Sequence, residues 1–122
     1  MLIYVGILGV YGALTVQPVN ITAYVGDNVT ISCSTSSWQA VDWRRKLLSA
    51  DRFERFCFRG HIITLYKEKF SIVNLQNGVY NVTVKNAQRS DSGEYRCIEG
   101  RHEDPDYATA VLIVNGNFSC ML

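Results

Sequence analysis

Four cysteines and two histidines are the residues of this 122-residue chain best suited to chemistry. None of Cys33, Cys57, Cys97 and Cys120 has a second cysteine or histidine at zinc-finger spacing, so no zinc site is expected. His61 falls on a predicted edge strand and His102 in a polar loop. No pattern brings a nucleophile, a base and an orienting carboxylate together. Glu99, His102, Glu103, Asp104 and Asp106 form an acidic cluster, but without the oxygen-ligand register of a calcium loop. It reads as solvated loop charge. Gly-rich phosphate loops and a paired-carboxylate cleft are also missing. The expectation is a protein that is not an enzyme, with no catalytic residue, metal or cofactor.

The remaining chemistry concerns the secretory route. Asn20, Asn28, Asn81 and Asn117 each open an Asn-x-Ser/Thr acceptor for N-glycosylation, a high density for so short a chain. Residues 2–13 (LIYVGILGVYGA) are continuously apolar and too short to span a bilayer. Residues 1–13 therefore read as a secretory signal cleaved after Gly12 or Ala13, although they lack the basic start such signals usually carry; a hydrophobic first strand is the alternative. No later stretch could span a membrane, so the product is expected outside the cell, secreted or as the ectodomain of a truncated or alternatively spliced receptor. There, cysteines can form stable disulfides. A formal net charge of +1 supplies no bulk attraction to nucleic acid or membrane.

The elements that hold these residues read as strands. The chain is 48% hydrophobic and 19% charged, with short alternating runs of Val, Ile, Thr, Tyr and Phe between Gly, Asn, Asp and Ser clusters. Residues 14–21 suggest an irregular edge strand that tolerates Pro18. Residues 28–34 alternate, with Val29, Ile31 and Cys33 on one face. In residues 41–46, Val41 and Trp43 point inward and Asp42, Arg44 and Lys46 outward. Residues 53–58, 61–65 and a run from Lys69 are further short strands. Residues 78–85 turn Tyr80, Val82 and Val84 inward and Asn81 and Thr83 outward. Residues 108–114 form the last strand. One domain, residues 14–115, is expected between the signal and a tail at 116–122.

Residues 91–97 (DSGEYRC) form a tight corner entering a strand, on which Tyr95 and Cys97 share a face. Cys33 and Cys97 both face inward, and their separation suits a bridge across a two-layer sandwich. Together, Val25-Gly26-Asp27-x-Val29-Thr30-Ile31-x-Cys33, Trp43, Lys69-Phe70-Ser71, Tyr80-x-Val82-x-Val84 and Asp91-x-Gly93-x-Tyr95-x-Cys97 resemble an immunoglobulin-superfamily domain of the variable type. The likeness spans residues 16–114. It implies an all-β, two-sheet Greek-key sandwich with a Cys33–Cys97 disulfide against Trp43. The two short strands between Trp43 and Phe70 would be those called C′ and C″. The resemblance also implies an ion pair between Asp91 and Lys69, looser than with the arginine common at that position. It gives the Tyr95 hydroxyl a backbone partner a few residues upstream. The last strand has no Phe-Gly-x-Gly bulge, which disfavours a rearranged antigen receptor.

Such domains commonly bind partners through the sheet of strands G (108–114), F (carrying Cys97), C (carrying Trp43) and C′ (53–58). Asn20, Asn28 and Asn81 fall on strands A, B and E of the opposite sheet, where glycans would leave the G-F-C-C′ face bare. On that face, Arg44, Lys46 and Arg96 are basic, with Arg52, Arg55 and Arg59 nearby. Glu99, Arg101, Glu103 and Asp104 come from the adjoining loop, and Phe56 or Phe58 is a candidate apolar anchor. The partner is expected to be a protein ligand of an immune or cell-surface receptor-like module. The alternative is homophilic adhesion through the same face, basic strands meeting acidic loop. An internal Cys57–Cys120 bridge would need the tail to fold back along the sheet. Cys120 instead suits a disulfide-linked dimer or stalk, and Cys57 a buried thiol.

Overall fold

The computed structural model describes residues 14–36, 40–73, 77–99 and 105–116. The signal reading at 1–13, Asn117 and Cys120 lie outside these residues, as do Arg101, His102, Glu103 and Asp104. Eleven strands follow in order: β1 (Leu14–Val16), β2 (Ile21–Tyr24), β3 (Val29–Ile31), β4 (Ser34–Thr35), β5 (Val41–Leu47), β6 (Glu54–Phe58), β7 (His61–Ile62), β8 (Phe70–Ile72), β9 (Val82–Val84), β10 (Gly93–Glu99) and β11 (Tyr107–Asn115). They form a six-stranded sheet β2-β11-β10-β5-β6-β7, a three-stranded sheet β3-β9-β8 and the pair β1-β4. Among the described residues there is no α-helix, only two short 3₁₀ turns at Thr64–Tyr66 and Arg89–Asp91.

Alternation drives this architecture. Along β10, Gly93, Tyr95, Cys97 and Glu99 are buried while Glu94, Arg96 and Ile98 are only partly covered. Val29, Ile31, Val82 and Val84 bring the opposing layer to the core, and Trp43, Phe56, Tyr95 and Leu112 fill the six-stranded side. Cys33 and Cys97, 64 positions apart, join the layers with Cα atoms 6.5 Å apart. Trp43 is the cross-strand neighbour of Cys97, and its Nε1–H donates to the Tyr80 carbonyl at 2.9 Å. Gly93 is required for proximity: a Cβ there would collide with the Lys46 carbonyl oxygen and stand 2.8 Å from the Leu47 Cα.

Three strand expectations need correction, and a fourth strand carries a bulge. Residues 14–21 are not one edge strand: β1 pairs antiparallel with β4, and β2 pairs parallel with β11 in the other sheet. Pro18 lies in the crossover, where its missing N–H costs no ladder bond. The strand expected at 61–65 stops at Ile62. The following 3₁₀ turn brings Tyr66 within 6.4 Å of the Phe56 ring and 6.2 Å of the Phe70 ring. Residues 78–85 keep regular pairing only at Val82–Val84, because the Asn81 side-chain oxygen accepts the Cys33 N–H in place of a backbone carbonyl. On β6, pairing slips after Trp43↔Cys57, so that Arg44 opposes Arg55. This bulge turns both Phe56 and Cys57 into the core.

Candidate functional site

The corner at residues 91–97 is built inward. Asp91 Oδ2 accepts from Lys69 Nζ and from the Gln88 N–H, both at 2.8 Å, while Oδ1 accepts from Arg45 Nη1 at 3.0 Å. The Tyr95 hydroxyl donates to the Asp91 carbonyl at 2.6 Å and accepts from Arg45 Nη1 at 3.0 Å. Burial alone would raise the Asp91 pKa, but hydrogen bonds from Lys69, the Gln88 N–H and Arg45 hold it below its ordinary value. Burial likewise works against the Arg45 charge, and Tyr95 and Asp91 more than offset it, moving the Arg45 pKa up. Tyr95 is pushed up chiefly by burial, against the pull of Arg45. Arg45 is the member that sequence reading missed. Its signal was parity, since it sits two residues after Trp43 on the inward face of β5.

The other side of the six-stranded sheet has a different chemistry. Arg96 on β10 is directly opposite Arg44 on β5, and Arg44 is directly opposite Arg55 on β6. Thr109 on β11 continues the row, its hydroxyl accepting from Arg96 Nε at 2.9 Å. Aromatic rings flank these cations. The Arg96 guanidinium lies 4.0 Å from the centre of Phe53 and 4.7 Å from that of Tyr107. Phe58 carries Arg55 at 5.0 Å and Arg59 at 5.2 Å. Two ion pairs border the row: Lys46–Glu94 at 3.1 Å and Arg55–Asp42 at 3.6 Å. Among the described residues, the Arg44 Nε on this side and the Arg45 Nε on the inner side are both buried without a hydrogen-bond partner.

Two of the anticipated partner-binding residues are not on this surface. Phe56 is fully buried and stacks on Phe70, ring centres 3.9 Å apart, because the β6 bulge rotates it inward. Phe58, 43% exposed, is the outward phenylalanine. Glu99 does not belong to the loop: it is the last residue of β10, fully buried on the same face as Tyr95 and Cys97. The structure thus brings Arg44, Lys46, Phe58 and Arg96 together on one face.

The acceptor asparagines also divide differently. Asn28 is exposed beside the three-stranded sheet, its Oδ1 accepting the Asn86 N–H at 2.9 Å. Asn81, in the same layer, is half-buried. Asn20 does not belong to that layer: it immediately precedes β2, the edge strand of the six-stranded sheet, and its Oδ1 accepts the Val111 N–H of β11 at 2.9 Å. Cys57 is free and buried, and burial raises its thiol pKa to about 12, so it stays protonated.

A groove of about 400 Å³ opens elsewhere, between β7 and β8, lined by His61, Lys67, Phe70 and Lys85 among others. Lys85 Nζ is engaged there by the Lys67 carbonyl at 2.9 Å. Among the described residues, no group of His, Cys, Asp and Glu could hold a metal ion, and no helix is long and apolar enough to cross a membrane.

Comparison with curated proteins returned no match. The model of the immunoglobulin V-set domain matches residues 16–112, from the end of β1 to β11 and including both bridged cysteines. Domains of this kind are typically extracellular modules of protein–protein recognition rather than enzymes. With the disulfide, the Trp43 core and the double sheet all in place, the chain belongs to the immunoglobulin V-set family.

Proposed function

We propose that this V-set domain is an extracellular recognition module of the receptor type that binds a protein ligand through the exposed face of its six-stranded sheet. The observation that carries this reading is the Arg96–Arg44–Arg55 row with its aromatic border. Like charges directly opposite one another across a sheet are destabilising, so the row works against the fold and is explained by a partner. Glycans on Asn28 and Asn81 would cover the opposite layer. A glycan on Asn20 would mark one edge of the binding sheet. Residues 1–13 act as the secretory signal, and Cys120 forms a covalent dimer or stalk.

Homophilic adhesion is the weaker reading. A two-fold contact centred on Arg44 would set one arginine row against its copy. Glu99, one carboxylate of the acidic loop that was to answer those cations, is buried. The test is cell-surface staining with the secreted, glycosylated protein as a fluorescent multimer, beside its Arg44→Glu/Arg96→Glu variant. The expected result is loss of staining with an unchanged urea midpoint. Unchanged staining would overturn the assignment of this face. A dimer in sedimentation that disappears in the variant would replace it with self-association.

A further inference from the structure

The arginine row also specifies what the ligand must present, an inference that rests on the assignment of this face as the binding surface. Neighbouring strands lie about 4.8 Å apart, so Arg96, Arg44 and Arg55 stand in line over about 10 Å. In the row on one side Glu94 answers Lys46, and from the other side Asp42 reaches Arg55, the end member of the arginine row. Those ion pairs reach neither Arg44 nor Arg96. The Arg44 Nε is buried and has no hydrogen-bond partner among the described residues, and the Arg96 Nε is taken by the Thr109 hydroxyl beneath two rings, so both arginines have their terminal Nη groups to offer. Stacking occupies the flat face of a guanidinium and leaves its N–H edge free to donate. The row is therefore a set of preordered hydrogen-bond forks with little anionic charge of its own to satisfy them.

We infer that the docked part of the ligand is an acidic segment of a protein, presenting at least two carboxylates to Arg44 and Arg96, with Arg55 at the end of the row. A carboxylate matches the guanidinium fork with two parallel hydrogen bonds. It also removes the like-charge cost that the unliganded sheet carries. A second copy of this chain fits poorly, for the row-against-row reason given above. A sulfated sugar would offer similar anions, but the rings at which it would stack already carry cations: Arg96 and Lys46 lie over Phe53, Arg55 and Arg59 over Phe58, and Arg96 over Tyr107. Hydrophobic side chains of a peptide can instead pack at the ring edges while its acids reach the row.

The test is NMR titration of the arginine Nε–H signals of the full secreted chain with two probes, a hexaglutamate peptide and a heparin-derived octasaccharide. The expected result is saturable shifts at Arg44, Arg96 and Arg55 with hexaglutamate, weakening as salt rises. Affinity should fall at least tenfold in Arg44→Gln/Arg96→Gln and stay unchanged in Lys67→Gln, a control on the far groove. No saturable shift with hexaglutamate, or shifts confined to other residues, would overturn the inference. Saturation by the octasaccharide alone would overturn it in favour of a sulfated glycan. If hexaglutamate fails while the charge-reversed variant still loses cell staining, only the acidic chemistry falls and the binding face stands. If staining also survives charge reversal, both fall.

Discussion

Arg44 and Arg45 are consecutive residues of one strand with opposite circumstances. Arg45 points inward, its side chain 13% exposed, and its charge is answered by Asp91 and shared with the Tyr95 hydroxyl. Arg44 points outward between two other arginines and makes no ion pair among the described residues. A buried cation is tolerable when a carboxylate answers it. Asp91 does so for Arg45, although the Arg45 Nε, like that of Arg44, is buried without a hydrogen-bond partner among the described residues. A surface cation has no such requirement, and water screens the cost of its neighbours. The contrast separates scaffold from proposed site: the Arg45 charge is matched by the fold, and the Arg44 charge is left for the ligand we propose.

The largest effects should come from breaking the inner side. Asp91→Ala leaves Arg45 and Lys69 without their shared carboxylate and should cost about 3–5 kcal/mol, read as a lower urea midpoint. Phe56→Ala should cost a similar amount, about 3–5 kcal/mol, by emptying the stack between Trp43 and Phe70. Phe58→Ala on the outer side should stay within about 0.5 kcal/mol. Equal losses for the two phenylalanines would mean that the β6 bulge does not orient them as described.

A smaller effect is expected from pH. The Asp91 pKa is lower in the folded chain than its ordinary value of 3.8. Its contribution is therefore fully present above pH 3.8 and is lost as pH falls through the lower folded value. Acid titration of the unfolding free energy should show this loss below about pH 4, and Asp91→Asn should flatten that part of the curve. The smallest effect belongs to the outer row: Arg44→Gln should leave stability unchanged or raise it by about 0.2–1 kcal/mol by relieving cross-strand repulsion. A drop as large as that of Asp91→Ala would erase the distinction between the two arginines.

Much of the scaffold was legible because its residues follow period two. Cys33, Trp43 and Cys97 fall on the inner face by alternation alone, and the two-sheet class follows from the spacing of the short strands. Legibility ended where the period breaks. The bulge in β6 puts Phe56 and Cys57 on the same side, so counting could not decide which phenylalanine faces out. Pro18 sits where the chain changes sheets, a tertiary event without a local signature, and this moved Asn20 to the other layer. Glu99 reads as loop by its charge, although its parity with Tyr95 and Cys97 places it inward. Arg45 carries the same signal, masked in the same way, since a charge is expected to face water. The arginine row itself depends on register between β10, β5 and β6, and a single chain does not display its register.

The most direct test of that division is Arg44→Gln as a single substitution, measured for both stability and staining by the multimeric secreted protein. The predicted result is a urea midpoint at or slightly above that of the parent, with ligand binding weakened at least tenfold. Full binding with an unchanged midpoint would contradict the account, because Arg44 would then be neither scaffold nor site.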